Sequence, residues 1–189
     1  MNALAARAVF TVLALLTSGF AAAERADRDK PVILDGGQMT IDETKGLRTL
    51  EGDVQLVRGT LLIRTDKLIV TQDANGYQKA IAYGGPGGKA RFRQKRDASS
   101  EYIDGEAARI EHDGRSDKTE FFGNAYVRSG RDEMRGQYIS FDGQTEKYLV
   151  TGGTTNSSGH AEPVRAVIVP KSAPAPDSSP GDAQPPSHN

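Results

Sequence analysis

The chain has 189 residues, a formal net charge of −1 and no cysteine. The absence of cysteine excludes a disulfide framework, a thiolate zinc site and a cysteine-linked lipid anchor. A net charge this close to zero creates no overall field toward nucleic acid or an anionic membrane, so any charge effect must be local.

Residues 1–23 have the pattern of a secretory signal peptide. Arg7 gives a positive start, residues 8–20 form an apolar run, and residues 21–23 are small alanines that suit cleavage. The alternative is a membrane anchor, but the run is shorter than the roughly 20 residues that span a bilayer, and the charged segment 24–30 follows at once. We therefore expect an exported protein whose mature chain begins near Glu24.

From Pro31 onward, apolar and polar residues alternate as they do in half-buried strands. Segments 54–56, 61–64, 68–70, 90–93 and 139–141 each place apolar side chains on one face. Glycine-rich turns such as 75–76 and 84–88 separate these segments, and no window shows a sustained helical period. The sequence therefore predicts a single all-β domain over residues 24–169.

The domain matches itself at an offset of 71 positions. Gly52 aligns with Gly123 and Gly59 with Gly130, and the apolar positions of the following strands also correspond. An internal duplication explains the match, and a weaker half-period divides the domain into four strand-turn-strand units. Such units cannot bury an apolar face alone, so we expect them to stack into a roll or sandwich with a shared core.

An aspartate ends a predicted strand in each of the four units, at Asp42, Asp73, Asp113 and Asp142. Carboxylates at equivalent positions could bind calcium or act as an acid/base pair. Alternatively, each aspartate accepts hydrogen bonds from the turn that follows it. The second interpretation is favoured, because a calcium β-roll needs a denser pattern of glycine and aspartate.

A basic strand runs from Lys89 to Lys95, and its cations Lys89, Arg91, Arg93 and Lys95 alternate with other residues and share one face. They can form a solvated outer face that protects an edge from pairing with other chains. They can equally contact phosphate groups of an anionic ligand or partner. The sequence leaves both interpretations open.

The opposite faces of the predicted strands carry an inward apolar set. Its members are Val32, Leu34, Val54, Leu56, Ile63, Leu68, Val70, Phe92, Ile110, Val127, Met134, Ile139 and Phe141. Such a set is by default a filled core. Because it is mainly aliphatic, and because the chain has no tryptophan, it could also line a slot wide enough for acyl chains.

The remaining features give no support to catalysis. Histidine occurs only at His112, His160 and His188, and no nucleophile elbow or phosphate-binding loop is present. Residues 170–189 are rich in proline, serine and alanine, which predicts a disordered tail. We therefore expect a binding protein without a cofactor or metal.

Several short blocks, taken in order, resemble the OstA-like family. The blocks are residues 31–34, 50–54, 65–70, 122–127 and 167–170, and together they cover about residues 31–170. The resemblance implies a twisted antiparallel β-jellyroll, open at both ends, with acyl chains of lipopolysaccharide held in its hydrophobic interior. By position, Val32 and Leu34 would lie at the N-terminal edge, and the rest of the inward apolar set would line the groove.

The resemblance also implies a biological setting. Such proteins are periplasmic carriers that link inner-membrane LptC-like proteins to outer-membrane LptD-like proteins. They associate end to end, and open strand edges would allow this by strand addition. The main alternative is an envelope protein that binds or cleaves polysaccharide, which would favour paired carboxylates beside an aromatic platform. Neither feature is evident in the sequence.

Overall fold

All regular structure in the described residues is β-strand, as the alternation predicted. The computed structural model describes residues 27, 30–76, 78–86, 88–96, 99–153 and 163–170. The predicted signal peptide lies outside these residues, and so does the predicted tail 170–189 apart from Pro170. In the part of the chain that is described, no helix has the length and hydropathy needed to cross a membrane.

Twelve strands follow one another in the described residues, and every ladder between them is antiparallel. They are β1 (Ile33–Asp35), β2 (Gln38–Asp42), β3 (Leu47–Arg58), β4 (Leu61–Gln72), β5 (Gln78–Tyr83), β6 (Ala90–Lys95), β7 (Tyr102–Ala107), β8 (Arg109–Asp113), β9 (Lys118–Ser129), β10 (Asp132–Asp142), β11 (Lys147–Thr151) and β12 (Arg165–Val167). The four long strands β3, β4, β9 and β10 determine the architecture, because each pairs with different neighbours along its two halves.

The strands form two layers. The first layer contains β2, β5, β8 and β11 together with segments 47–51, 67–72, 118–122 and 138–142 of the long strands. The second layer contains β1, β6, β7 and β12 together with segments 54–58, 61–65, 125–129 and 132–136. Since β4 and β9 pass through both layers, β4, β5, β8, β9, β7 and β6 close into a ring of hydrogen-bonded neighbours.

The chain crosses between the layers along one side of the molecule, which we call the spine, at Gly37, Gly52, Gly84, Ala108 and Gly123. Backbone hydrogen bonds join these crossing points, from Gly37 N to Gly52 O (2.8 Å), Gly84 N to Ala108 O (2.9 Å) and Ala108 N to Gly123 O (3.0 Å). The spine thus holds the two layers together through main-chain contacts.

The predicted duplication is visible in the backbone. Gly52 and Asp53 bend β3 with φ angles of 81° and 47°, and Gly123 and Asn124, 71 positions later, bend β9 with φ angles of 78° and 48°. Left-handed backbone of this kind is readily adopted by glycine and tolerated by Asp and Asn. The ladder registers shift beside both bends, between Glu51 and Val54 in β3 and between Gly136 and Tyr138 opposite β9. Paired β-bulges therefore turn the long strands from one layer into the other.

The four recurring aspartates stabilise turns, as the favoured interpretation of the sequence predicted. The Oδ1 atom of Asp42 accepts a bond from Lys45 N at 3.1 Å, and those of Asp73, Asp113 and Asp142 accept bonds from the amide two residues later at 2.9 Å. Within the described residues no group of three acidic, histidine or cysteine side chains is placed to hold a metal ion. These carboxylates therefore act on the backbone of their own turns.

Replacing Asp113 with alanine is expected to lower the unfolding free energy by about 1 kcal/mol, because the Arg115 and Ser116 amides each lose an acceptor. Partial burial raises the Asp113 pKa, but these backbone bonds outweigh it and the net pKa lies below the ordinary value of 3.8. Because the pKa of Asp113 is lower in the folded state than in the unfolded state, its ionised carboxylate stabilises the fold at pH values above the unfolded pKa. This stabilisation is lost as the pH falls through the folded pKa.

Urea unfolding at neutral pH and below about pH 4 checks this prediction, since the difference between wild type and Asp113→Ala should shrink in acid. Asp113→Asn is the matched control, because its side-chain oxygen still accepts the amide bonds. A loss of stability that is equal in the two variants, or independent of pH, would contradict the assigned role.

Candidate functional site

The space between the two layers holds the inward apolar set. Eleven of its thirteen members belong to the buried core, with exposures that run from 0% at Val54 to 9% at Met134. Val32 and Leu34 on the N-terminal edge strand are half-buried and pack against this core. The structure therefore brings together every residue that the alternation placed inward, in one continuous apolar interior.

Sequence reasoning missed nine further residues of the same core. They are Leu50, Leu61, Ala80, Ala82, Ala90, Ile103, Ala107, Phe121 and Ala125. The strand period gave a usable signal for Phe121, which lies on the same face of β9 as Val127. The strand period gave little signal for β7, because the apolar residues Ile103 and Ala107 are separated there by Asp104, Gly105 and Glu106.

Phe121 occupies the middle of the interior. Its ring meets the Phe92 ring of the opposite layer edge to face, with centroids 5.6 Å apart. A Cβ atom built on Gly105 would lie 2.3 Å from Phe121 Cε1, so the missing side chain of Gly105 provides the space for this ring. Phe92, Gly105 and Phe121 thus interlock the two layers at their centre.

Three polar residues belong to the buried interior of the described chain. His112 is 3% exposed and Thr119 is fully buried, and the His112 Nδ1 and Thr119 Oγ1 atoms lie 3.0 Å apart across β8 and β9. Ser140 is the other buried polar residue. Since the buried core of the described chain contains no carboxylate, lysine or arginine, an apolar ligand in the interior would meet none of these charged groups.

Opposite the spine, the strand-connecting turns of the two layers face each other across what we call the mouth. The first layer contributes residues 43–46, 73–76, 114–117 and 143–146, and the second contributes 59–60, 96, 99–101 and 130–131. Near Val32, Leu56 and Ala80 the packed side chains leave a void of about 10 Å³, close to the space for one water molecule. An acyl chain would therefore need the layers to separate.

Two arginines span the mouth from the second layer. Arg96 reaches Glu146 with both ends of its guanidinium, from Nη2 to Oε2 at 2.8 Å and from Nε to Oε1 at 3.4 Å. The hydrogen bond to Glu146 is the largest cause of the raised Arg96 pKa. Arg58 lies against Gly114, where an added Cβ would come 3.0 Å from its Nη1 atom. These contacts join the two layers across the mouth through side chains that are only partly exposed.

The predicted basic strand corresponds to β6 and the preceding Lys89, on the outer face of the second layer. Lys89 Nζ lies 2.8 Å from Glu106, and Arg93 Nη1 lies 2.7 Å from Asp104. The Arg93 guanidinium also stacks 4.2 Å from the centre of the Tyr102 ring. Neighbouring strands therefore neutralise Lys89 and Arg93, whereas Arg91 has no ion-pair partner in the described chain.

Exposed apolar side chains gather at the two ends of the sheet. Met39 and Ile41 on β2 are 43% and 51% exposed, and Leu149 on β11 is 58% exposed. Ile33 on β1 and Val167 on β12 complete the pattern in the other layer. Among the described residues, each layer therefore ends in edge strands with exposed apolar side chains and no further strand paired on the outer side, which is the surface that strand addition uses.

Comparison with known proteins gives a family match over most of the domain. The profile described as "LptA/(LptD N-terminal domain) LPS transport protein" matches residues 34–147, more than half of the chain. The lipopolysaccharide export system protein LptA of Escherichia coli K12 is 28% identical over 142 residues, 74% of this chain and 75% of that protein. The lipopolysaccharide export system protein LptH of Pseudomonas aeruginosa is 23% identical over 166 residues, 86% of this chain and 93% of that protein.

A solved structure shares the architecture. The crystal structure of LptH, described as the LptA homologous periplasmic component of the lipopolysaccharide transport device from Pseudomonas aeruginosa, matches with a TM-score of 0.68 at 19% identity. The match covers 77% of this chain and 99% of that chain. The fold is thus the β-jellyroll that the family resemblance implied, here with two layers, a spine and a mouth.

Proposed function

The chain belongs to the LptA/(LptD N-terminal domain) family of lipopolysaccharide transport proteins, and we propose that it is a periplasmic carrier that holds lipopolysaccharide acyl chains between its two layers. The observation that carries the proposal is the apolar interior, which is continuous from Val32 at one edge to Phe141 near the other. The inward apolar set would form the binding surface, and transport would require no catalysis by this chain.

Energetics support an interior that opens for its ligand. Burying an acyl chain of about twelve carbons yields about 9 kcal/mol at roughly 0.8 kcal/mol per methylene. Separating the layers exposes the core side chains, and the entering chain covers them again. The contacts across the mouth resist opening only weakly, because a partly exposed ion pair such as Arg96 with Glu146 contributes on the order of 1 kcal/mol.

The edge strands support a bridge between membranes. We propose that copies of the protein add end to end through β1 and β2 of one copy and β11 and β12 of another, so that their apolar interiors join. The ends of the bridge would contact LptC-like proteins of the inner membrane and LptD-like proteins of the outer membrane. Exposed Ile41 and Leu149 would become covered at such junctions.

Photo-reactive residues placed singly at Val70, Thr71 and Ile41 test both parts of the proposal in cells. Val70 is 1% exposed and faces the interior, whereas Thr71, the next residue of β4, faces outward. We expect crosslinks to lipopolysaccharide from Val70, crosslinks to protein from Ile41, and neither from Thr71. Equal lipid crosslinks at Val70 and Thr71, or crosslinks to polysaccharide without lipid, would contradict a carrier of acyl chains.

A further inference from the structure

A pocket of about 230 Å³ lies on the outer face of the second layer, away from the interior. Its walls include Leu62 and Arg64 from β4, Arg91 from β6, Glu106 from β7 and Tyr126 from β9. These side chains stand in one band across four hydrogen-bonded strands, because Arg64 pairs with Arg91, Arg91 with Glu106, and Glu106 with Tyr126. The pocket is therefore built on four of the six strands of the hydrogen-bonded ring.

Two arginines in this band are set directly against each other. Arg64 and Arg91 are cross-strand partners, and like charges at such positions destabilise a sheet. Both side chains are exposed, and in the described residues neither forms an ion pair or a hydrogen bond. An arrangement that costs stability, with no partner to offset it, is typical of a binding site.

The carboxylates of the pocket are already engaged with other cations. Glu106 pairs with Lys89 at 2.8 Å, although Arg91 is its direct cross-strand neighbour. Asp104 binds Arg93 through one oxygen at 2.7 Å and Arg128 through the other at 2.9 Å. The positive charge of Arg64 and Arg91 therefore remains available to an anion from outside the chain.

We infer that the Arg64–Arg91 pair binds the phosphate group of a phosphorylated saccharide. Two guanidinium groups can donate to several phosphate oxygens at once, and that geometry favours phosphate over a single carboxylate. The Arg135 guanidinium covers one side of the Tyr126 ring at 4.2 Å, so Leu62 and the remaining surface of that ring supply an apolar wall for a sugar, while Glu106 at the rim can accept its hydroxyl groups. Lipopolysaccharide as the source of this saccharide rests on the proposed function.

Binding of acyl-free ligands to the purified mature protein tests the inference by titration calorimetry. The ligands are deacylated lipopolysaccharide, the same oligosaccharide after removal of its phosphates, and inorganic phosphate. We expect the phosphorylated oligosaccharide to bind and the double variant Arg64→Gln, Arg91→Gln to bind it about tenfold or more weakly. Arg115→Gln, on a turn of the first layer, is the matched control and should bind as wild type does.

The double variant should be at least as heat-stable as wild type, because it removes a repulsive pair. Unchanged affinity in the double variant, or equal affinity for the dephosphorylated oligosaccharide, would overturn the inference. Equal binding of inorganic phosphate would overturn its saccharide part. Because these ligands lack acyl chains, such failures would leave lipid crosslinking at Val70 unaffected, and the two proposals are tested separately.

Discussion

Crosslinking cysteines introduced at positions 96 and 146 with a short, bifunctional, thiol-reactive compound is expected to weaken lipopolysaccharide binding about tenfold or more. The change uses Arg96→Cys and Glu146→Cys, whose native side chains meet across the mouth at 2.8 Å. A covalent link there prevents the layers from separating, and the void of about 10 Å³ near Val32, Leu56 and Ala80 is far too small for an acyl chain. A tenfold loss corresponds to about 1.4 kcal/mol, a small part of the acyl burial energy, so it is a conservative expectation.

The native sequence contains no cysteine, so the two introduced thiols are the only sites for the reagent. Binding is measured before and after crosslinking, by fluorescence or calorimetry with solubilised lipopolysaccharide. Asp73→Cys with Arg115→Cys is the matched control, because the native side chains also form an ion pair but join two turns of the same layer. Full binding by the protein linked at 96 and 146 would show that acyl chains do not enter by opening the mouth.

Much of the interior could be predicted because a strand exposes its two faces in strict alternation. Leu68 and Val70, two residues apart on β4, both point inward, as their pattern required. The turn role of Asp113 was also predictable, since a carboxylate at a strand end reaches the next amides through local geometry alone. Features that depend on neighbours close in sequence were therefore predicted correctly.

The positions of the layers relative to each other could not be predicted in this way. Gly52 and Gly123 were recognised as equivalent, but their role as bulges depends on partners that come from elsewhere in the chain. Ile103 was missed because β7 pairs with β6 and β9 at positions that its own polar sequence does not indicate. Cross-strand pairing over long sequence separations supplies this information, and a single strand does not contain it.

The basic residues on the outer face of the second layer also show which features a single segment predicts and which depend on strand pairing. The alternation grouped Arg91 with Lys89, Arg93 and Lys95, because all four lie on one segment. The structure separates Arg91 from Lys89 and Arg93, whose carboxylate partners come from β7, and places it beside Arg64 of β4. Only the register between β4 and β6 identifies this pair.

Replacing Phe121 with alanine is expected to lower the unfolding free energy by about 3–5 kcal/mol, the range for truncating a buried aromatic side chain. Phe121 is fully buried and packs edge to face on Phe92 of the opposite layer, so its loss leaves a cavity that neither layer can close alone. Urea unfolding provides the measurement. Phe122→Ala is the matched control, because this next residue points outward against Arg109 and should cost much less.

Gly105 provides an independent check of the same packing. In wild type, Gly105→Ala would place Cβ 2.3 Å from Cε1 and 2.6 Å from Cζ of Phe121, and such overpacking costs about 1–3 kcal/mol. In the Phe121→Ala background the ring is absent, so the same methyl group should be tolerated or even fill part of the cavity. We therefore expect the double variant to be more stable than the sum of the single effects requires. Strict additivity of the two effects would mean that the layers do not interlock through Gly105 and Phe121. It would also mean that the packing at the centre of the interior can rearrange without an acyl chain.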